Sequence, residues 1–579
     1  MLSEQEQVRA FIPEIVAKYD RQSSALLPIL EAIQEKFGYV SESAMQQVAG
    51  LLGIHASRVW SVATFYHFIN TTPKGRFIIR LSRDIASVMK GANLIARQLE
   101  KELAIRFGET TPDGMFTLEW TGCIGMDDQA PAMMINNAVF SHLTPGRIPQ
   151  IIRECTDSFL HQRPLTGRMD DTFTTAQTYA THHADSGIRQ AIAMNPDDII
   201  NEIVASGLCG RGGAGFPTGT KWKMAAAACG DTRYVICNAD EGEPGTFKDR
   251  FILTRFADLV FEGMTIAAYS IGAREGIMYL RAEYASLRPQ LEQILETRRE
   301  AGWLGDNIHG KKGFHFDIHI RMGAGTYICG EETALIESLE GKRGEPRNRP
   351  PYPPEKGLFG QPTVVNNVET LATVSIILER GAAWFSGIGT GKSKGFKLFS
   401  VSGDCARPGL YELPWGMTVS GLLALAGGED AKAVQIGGYS GTFLPASAFD
   451  RHLAYEDLGA GSTVIIYGPD RDLLEVAETY LQFFVDESCG QCTPCRDGNV
   501  ILLNGIRALR DGKCTPRQLD ELISLCKTIH LTAKCGLGQS SPKILLAIHE
   551  HFRSELMTRL AEPSTDGKAA SAANAGRSP

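Results

Sequence analysis

The stretch ESCGQCTPCRDG, Glu487 to Gly498, sets Cys489, Cys492 and Cys495 at intervals of three residues. Thiolates so close together grip a metal centre from one side, so a fourth ligand has to come from elsewhere. Of the later cysteines, Cys514, Cys526 and Cys535, only Cys535 sits in a glycine-bearing loop, AKCGLGQSS. Glycines there let the backbone approach a cluster and aim N–H groups at its sulfurs, which makes Cys535 the expected fourth ligand. Cys514 and Cys526 read as helix or turn residues. Zinc knots also use C-x2-C, but three packed thiolates and one distant one suit the corners of a [4Fe-4S] cubane better than two paired zinc-binding turns. The helix predicted over Arg496 to Arg510 would offer the anionic cluster its N-terminal end.

A second group of residues points to phosphate and nucleotide chemistry. CGRGGAGFPTGTKW, Cys209 to Trp222, has Gly210, Gly212 and Gly215 at G-x-G-x-x-G spacing, but it follows the helix-like PDDIINEIVASGL rather than a strand. A dinucleotide-binding fingerprint needs a preceding strand, so the usual reading fails. What remains is a nest of backbone N–H groups with Arg211 and Lys221 nearby, a phosphate cradle of another kind or a flexible loop. GIGTGKS, Gly387 to Ser393, imitates a P-loop, yet Ser386 stands where a glycine is required, and a linker is the expectation. CNADEGEPGTFKDR gathers Asp240, Glu241 and Glu243 at a strand end, and GTYICGEETALIESLEG places Glu331 and Glu332 after a glycine turn. Taken singly, such acids read as helix caps.

These groups must be carried by several domains, because 579 residues exceed what one core supports. Residues 1–70 read as short helices, among them Ser24 to Phe37 behind a serine cap and Ser43 to Gly53 ending in glycine. Strand-like and helical stretches over 71–165 predict a small α/β domain, and the polar, aperiodic 166–190 a linker. Residues 191–395 read as a ligand-handling α/β domain, 396–470 as a β-rich module around the helix Thr418 to Gly428, and 471–560 as helical. The end, 561–579, is poor in apolar bulk and predicted disordered. With 58 basic against 66 acidic residues the net charge is -8, which argues against a nucleic-acid binder. No uncharged apolar run reaches the roughly 18 residues of a membrane span. Thirteen cysteines and a start without basic or apolar signal regions predict a reducing, cytoplasmic setting.

Taken together, the glycine loop, CNADEGEPGTF, GTYICGEETALIESLEG, PTVVNNVETLA and ESCGQCTPCR with Cys535 resemble the NADH-binding flavoprotein subunit of respiratory complex I. The resemblance extends to the diaphorase subunits of NAD-reducing nickel-iron hydrogenases and NAD-dependent formate dehydrogenases, and it covers roughly residues 190 to 555. It implies FMN, one [4Fe-4S] cluster and an NAD(H) site stacked on the flavin, and makes the β-rich module a ubiquitin-like β-grasp domain of the soluble-ligand-binding type. It places Gly210, Arg211, Gly212, Ala214 and Lys221 on the FMN phosphate side, with Asn238, Asn366 and Asn367 adding polar contacts. Asp240, Glu241, Tyr327, Gly330 and Glu331 would line the flavin, and Phe216, Glu243, Glu332 and Tyr352 would meet NADH. Glu243 and Glu331 are the residues it puts closest to catalysis. Tyr352 stands where the family often has phenylalanine, Met224 replaces an aromatic, and Glu332 near the ribose favours NAD over NADP.

Residues 1–165 resemble the thioredoxin-like partner subunit of the same complexes, which binds [2Fe-2S] through C-x4-C and C-x3-C. Here those positions are Ser82 and Ser87, then Cys123 and Asp127, so no [2Fe-2S] cluster is expected. The fused modules resemble soluble hydrogenases most. The implied function is an NADH:acceptor oxidoreductase of a hetero-oligomer that includes iron-sulfur and hydrogenase subunits, with a formate dehydrogenase or complex I diaphorase as alternatives. A zinc-bearing assembly scaffold is the reading from a different class.

Overall fold

In the computed structural model, which describes residues 4–170, 172–459 and 461–561, four helices open the chain: Glu4–Lys18, Leu26–Phe37, Glu42–Leu52 and Ala56–Ala63. The apolar spacing of the second buries Leu26, Leu27, Ile29, Leu30 and Ile33. Its expected serine cap is absent: a 3-10 turn, Ser23–Ala25, leads into it and Ala25 makes no side-chain cap bond. The third helix is capped by Ser41 through the Ala44 N–H, and Gly53, at φ 65°, ends it in the left-handed region that glycine tolerates.

The following domain is a sheet of order β2-β1-β3-β4. β1 (Phe77–Ser82) runs parallel to β2 (Phe116–Thr121) and antiparallel to β3 (Met133–Ile135), which pairs antiparallel with β4 (Ala138–Phe140). Ile95 and Leu99 of one helix and Ile148 and Ile151 of another close its core. The stretch expected to be a linker is docked: Gln177–Ala180 and Ser186–Ala193 are helical, Tyr179 and Ile188 are buried, and Thr174 bridges to Leu410. Its order comes from isolated buried residues and hydrogen bonds, which leave no periodic signal.

The next sheet holds four parallel strands, β5 (Tyr234–Ala239), β6 (Glu275–Leu280), β7 (Asp317–Met322) and β8 (Thr363–Asn367), in the order β7-β6-β5-β8. The chain runs outward from β5 to β7, then returns on the opposite side of β5. The strand order thus reverses between β5 and β8, the kind of switch point at which open α/β sheets bind ligands, in a crevice beyond the strands' carboxyl ends. Two helices, Ala257–Ile271 and Val368–Arg380, fill the core beside it. They cross closely at Gly263, where an added Cβ would lie 2.0 Å from the Leu371 carbonyl oxygen.

A five-stranded sheet follows, built of β9 (Phe396–Gly403), β10 (Gly409–Pro414), β11 (Ala433–Ile436), β12 (Thr442–Pro445) and β13 (Thr463–Tyr467) in the order β10-β9-β13-β11-β12. Parallel pairing of β13 with β9, and the helix Val419–Ala426 over the sheet, make it a β-grasp fold. These domains lie in one compact unit, Met1–Pro469; the second unit, Asp470–Pro579, is helical. The tail expected to be disordered falls, from residue 562 on, outside the described residues. Among the described residues no helix is long and apolar enough to cross a membrane.

Gly263→Ala should cost about 1–3 kcal/mol, the usual range for overpacking a tight core. The check is thermal unfolding of the full chain, where an unchanged midpoint would contradict the close crossing.

Candidate functional site

Pairing of β5 with β8 sets Cys237 opposite Asn366 and Asn238 opposite Asn367, so the two asparagine-bearing strand ends meet at the crevice. Asn238 donates to the Gly330 carbonyl (2.8 Å), which ties the loop before the helix Glu332–Leu339 to the same place. The glycine loop arrives from the other side. Its ends are joined by a bridge between Cys209 and Pro217, and a Cβ on Gly212 would lie 3.2 Å from that of Asn367. Gly212, Ala214 and Phe216 are exposed there. Lys221, from the helix Thr218–Ala227, donates to Glu332 Oε2 (3.0 Å) and to the Val365 carbonyl (3.1 Å).

The acids divide into two kinds. Glu241 accepts from the N–H groups of Asp249 (2.9 Å) and Arg250 (3.2 Å) and from the Tyr284 hydroxyl (2.8 Å). Its carboxylate thus serves the start of the helix Lys248–Arg255, and burial pushes it up to about 7. Glu243 takes bonds from the Tyr327 hydroxyl (2.5 Å) and from the N–H (2.9 Å) and hydroxyl (3.1 Å) of Ser440. Burial raises this carboxyl, and those bonds draw it back. Glu331 caps its helix through Thr333 and Ala334 with one oxygen, while Oε1 faces Arg349 at 3.6 Å and has no hydrogen-bond partner.

Arg211, Glu241 and Asn366 are buried, and the other expected flavin and nucleotide residues stay at least partly open. The Arg211 guanidinium bonds the Tyr455 hydroxyl (3.2 Å) and the Lys394 carbonyl (3.0 Å), so it anchors the glycine loop from behind. Asn366 accepts from the Trp222 indole (2.8 Å). Asn367 caps the helix Val368–Arg380 and binds Lys248 (2.9 Å) and Asp249 (2.6 Å). Tyr352 and Phe216 are each 45 % exposed, two open rings of the kind that stack on nicotinamide or adenine.

In the helical unit, Cys489 and Cys492 are half-buried and Cys495 and Cys535 buried. Burial, followed by the neighbouring Cys492, Cys535 and Cys489, pushes the Cys495 thiol up to about 12, so the four sulfurs converge closely enough to feel one another's charge. Cys495 also shares a hydrogen bond with the Ser488 hydroxyl (3.3 Å) and accepts one from Asn499 (3.4 Å), and a Cβ on Gly538 would press within 3.0 Å of its own. Among the described residues, only Asp84, Cys123 and Asp127 bring three or more metal-ligating atoms all within 4.8 Å. A tetrahedral zinc, with Zn–S of about 2.3 Å, would hold thiolates closer than that. Cys526 lies within the helix Pro516–Thr532 and Cys514 just before it.

NAD-reducing hydrogenase HoxS subunit alpha of Cupriavidus necator is 44% identical over 562 residues, spanning 93% of this chain and 93% of the relative. The chain belongs to that diaphorase family. The F 2 subunit of NADH-quinone oxidoreductase from Rhizobium meliloti is 42% identical over 398 residues, covering 66% of this chain and 94% of that one. A crystal structure of NAD+-reducing [NiFe]-hydrogenase in the H2-reduced state superposes with a TM-score of 0.88 at 37% identity, covering 96% of this chain and 97% of the other. Family models match along the chain: thioredoxin-like [2Fe-2S] ferredoxin over 12–156, Nuo51 FMN-binding domain over 203–376, SLBB domain over 398–442, and the oxidoreductase-F iron-sulfur binding region over 475–559.

The first match carries the name of a two-iron cluster, which conflicts with the expectation that none is bound. At the positions concerned, Ser82 and Ser87 both donate to Asp84 Oδ2 (2.5 and 2.8 Å), and the Cys123 thiol donates to Asp127 Oδ2 (2.8 Å). One thiol, two hydroxyls and a carboxyl bonded among themselves do not match a thiolate-held cluster.

Several residues at the site escaped sequence reasoning. Ser440 holds Glu243 from the β-grasp domain, and the clustered glycines of GGYSG, Gly437 to Gly441, were the available signal. Behind the glycine loop, Glu369 is buried between Lys248 (3.3 Å) and Lys397 (3.2 Å), and burial brings the Lys397 ammonium down to about 7. Nothing local marks a pairing in which Lys248 lies more than a hundred residues before Glu369 and Lys397 lies 28 after it. Cys535→Ala should reduce iron from about four atoms per chain to under one while flavin stays bound; iron and acid-labile sulfide assays decide, and full iron retention would exclude Cys535 as a ligand.

Proposed function

We propose that this chain exchanges electrons with NAD(H) at a flavin in the β5/β8 crevice and passes them through a [4Fe-4S] cluster to partner subunits, as in a soluble NAD-reducing hydrogenase. The observation that carries this reading is the switch point itself, where exposed glycine loop, strand-end asparagines and acidic loop converge. FMN, when bound, converts the two-electron hydride of NADH into the single electrons that a cluster carries. The residues supply binding and orientation. The loop of Gly210, Arg211, Gly212 and Ala214, with Lys221, takes the phosphate side, the Gly210 and Arg211 N–H groups being used to hold the loop on Phe216 and Thr370. Arg211 positions the loop rather than the ligand: its main-chain N–H donates to Thr370 Oγ1 (2.9 Å) and its guanidinium to Tyr455 and to the Lys394 carbonyl. Asn238, Asp240, Tyr327, Gly330, Glu331 and Asn367 border the ring, while Asn366 and Glu241 hold their loops from beneath.

Phe216, Tyr352, Glu243 and Glu332 take the nucleotide. Glu243 is fixed by the Tyr327 and Ser440 bonds and Glu332 by Lys221, so each offers an acceptor to a ribose or amide without reorganising. An acidic Glu332 repels a 2′-phosphate and favours NAD. Cys489, Cys492, Cys495 and Cys535 hold the cluster. The domain boundaries proposed are those given above, with the linker 166–190 docked through Thr174, Tyr179 and Ile188. For the thioredoxin-like module we propose that no [2Fe-2S] cluster is bound, on the donor set of Ser82, Ser87, Cys123 and Asp127. All thirteen cysteines are free, which favours a reducing, cytoplasmic setting.

Two measurements test the reading. Anaerobically purified protein should carry about four irons per FMN and oxidise NADH with ferricyanide; protein holding zinc and no flavin would refute it. Phe216→Ala should raise KM for NADH about tenfold with little change in kcat, the worth of one stacked ring, and an unchanged KM removes Phe216 from the nucleotide site. Copurification of hydrogenase rather than formate dehydrogenase subunits identifies the partner.

A further inference from the structure

Asp84, Cys123 and Asp127 each place one ligand atom within 4.8 Å of the other two, and all three are buried, at 6%, 3% and 4% exposure. Asp84 stands between the two serines, in LSRDIAS. It accepts both of their hydroxyls, and its other oxygen takes the Ser87 N–H (2.8 Å). The trio is therefore held in place by an outer layer of hydrogen bonds, as metal ligands usually are. A separate observation points to a ligand: Asp127 Oδ1 is buried and meets no N–H or O–H donor, and its carboxyl lies against that of Asp84. An orphaned carboxyl oxygen in a dry interior is costly, and a cation satisfies it directly.

We infer that Cys123, Asp84 and Asp127 bind a single divalent cation of the zinc type, a site that rests on the absence of the two-iron cluster proposed above. The donor set selects the ion. A thiolate with two carboxylates suits borderline zinc, which bonds both at about 2.0–2.3 Å. Calcium and magnesium take oxygen alone. Zinc has no redox chemistry, so the site stores no electron and acts as a staple. Its position fits that role. The Tyr439 hydroxyl accepts the Ile85 N–H (2.8 Å), next to Asp84, and Arg281 donates to the Cys123 carbonyl (2.6 Å), close to the excess negative charge of three anionic ligands. Tyr439 precedes Ser440, the residue that fixes Glu243. The ion thus steadies the loop that presents an NADH acceptor.

The test is metal analysis and zinc-edge X-ray absorption on the full chain purified without chelator from zinc-supplemented medium. One zinc per chain beside four irons is expected, with one sulfur near 2.3 Å and oxygens near 2.0 Å. Asp127→Asn should lose the zinc, keep the four irons and raise KM for NADH. Four irons with no further metal overturns this inference and leaves the absence of a two-iron cluster standing. Six irons overturns both. A zinc edge showing sulfur ligands only puts the ion elsewhere and also overturns it. The absorption spectrum of the unaltered protein decides even where Asp127→Asn fails to fold.

Discussion

Arg281, directly after β6, is buried and satisfied on every side. It donates to the carbonyl of Cys123 in the thioredoxin-like domain, to the carbonyl of Glu241 at the flavin crevice, and to both oxygens of Glu283. A guanidinium out of water is costly unless its N–H groups find partners, so burying it favours one placement of those two loops. Arg250 repeats the device, donating to the Gly125 carbonyl (2.6 Å) and pairing with Asp128 (3.0 Å). Two buried cations thus hold the loop 123–128 against the flavin domain.

That clamp explains why acids at the crevice take unequal roles. Glu241 lies between Arg281 and the helix Lys248–Arg255, and its carboxylate is consumed by main-chain N–H groups and Tyr284. Two residues later the chain has turned, and Glu243 meets Tyr327 and Ser440 at the opening. Glu369 supplies the matching anion on the other flank, between Lys248 and Lys397, with its second oxygen on the Leu398 N–H (2.9 Å). Rigid loops are what a hydride transfer needs, because its geometry leaves little room for rearrangement.

The β-grasp domain belongs to the site as much as the flavin domain does. Gly438 comes so close to Glu243 that a Cβ there would lie 2.3 Å from the glutamate Cγ. Its left-handed φ of 68° and this approach both require glycine. Ser440 then reaches Glu243 only because that turn is tight.

Sequence alone singled out the cysteine set proposed as cluster ligands, since C-x2-C-x2-C and a glycine-flanked Cys535 are local patterns. It likewise determined the helix preceding the glycine loop, the run of element types, and the loss of three thiolates from the thioredoxin-like module, because each is a matter of residue identity or short-range periodicity. Tertiary structure decided which way side chains turn once loops from distant parts meet. Arg211 and Glu241 read as ligands, and their side chains are engaged with Tyr455, Lys394, Tyr284 and main-chain N–H groups; Asp84 read as nothing and became the centre of a buried trio; the stretch read as a tether holds the buried Tyr179 and Ile188. The physical reason is common to all three. Burial and hydrogen-bond partners separated by tens to hundreds of residues settle these roles, and no local pattern records them.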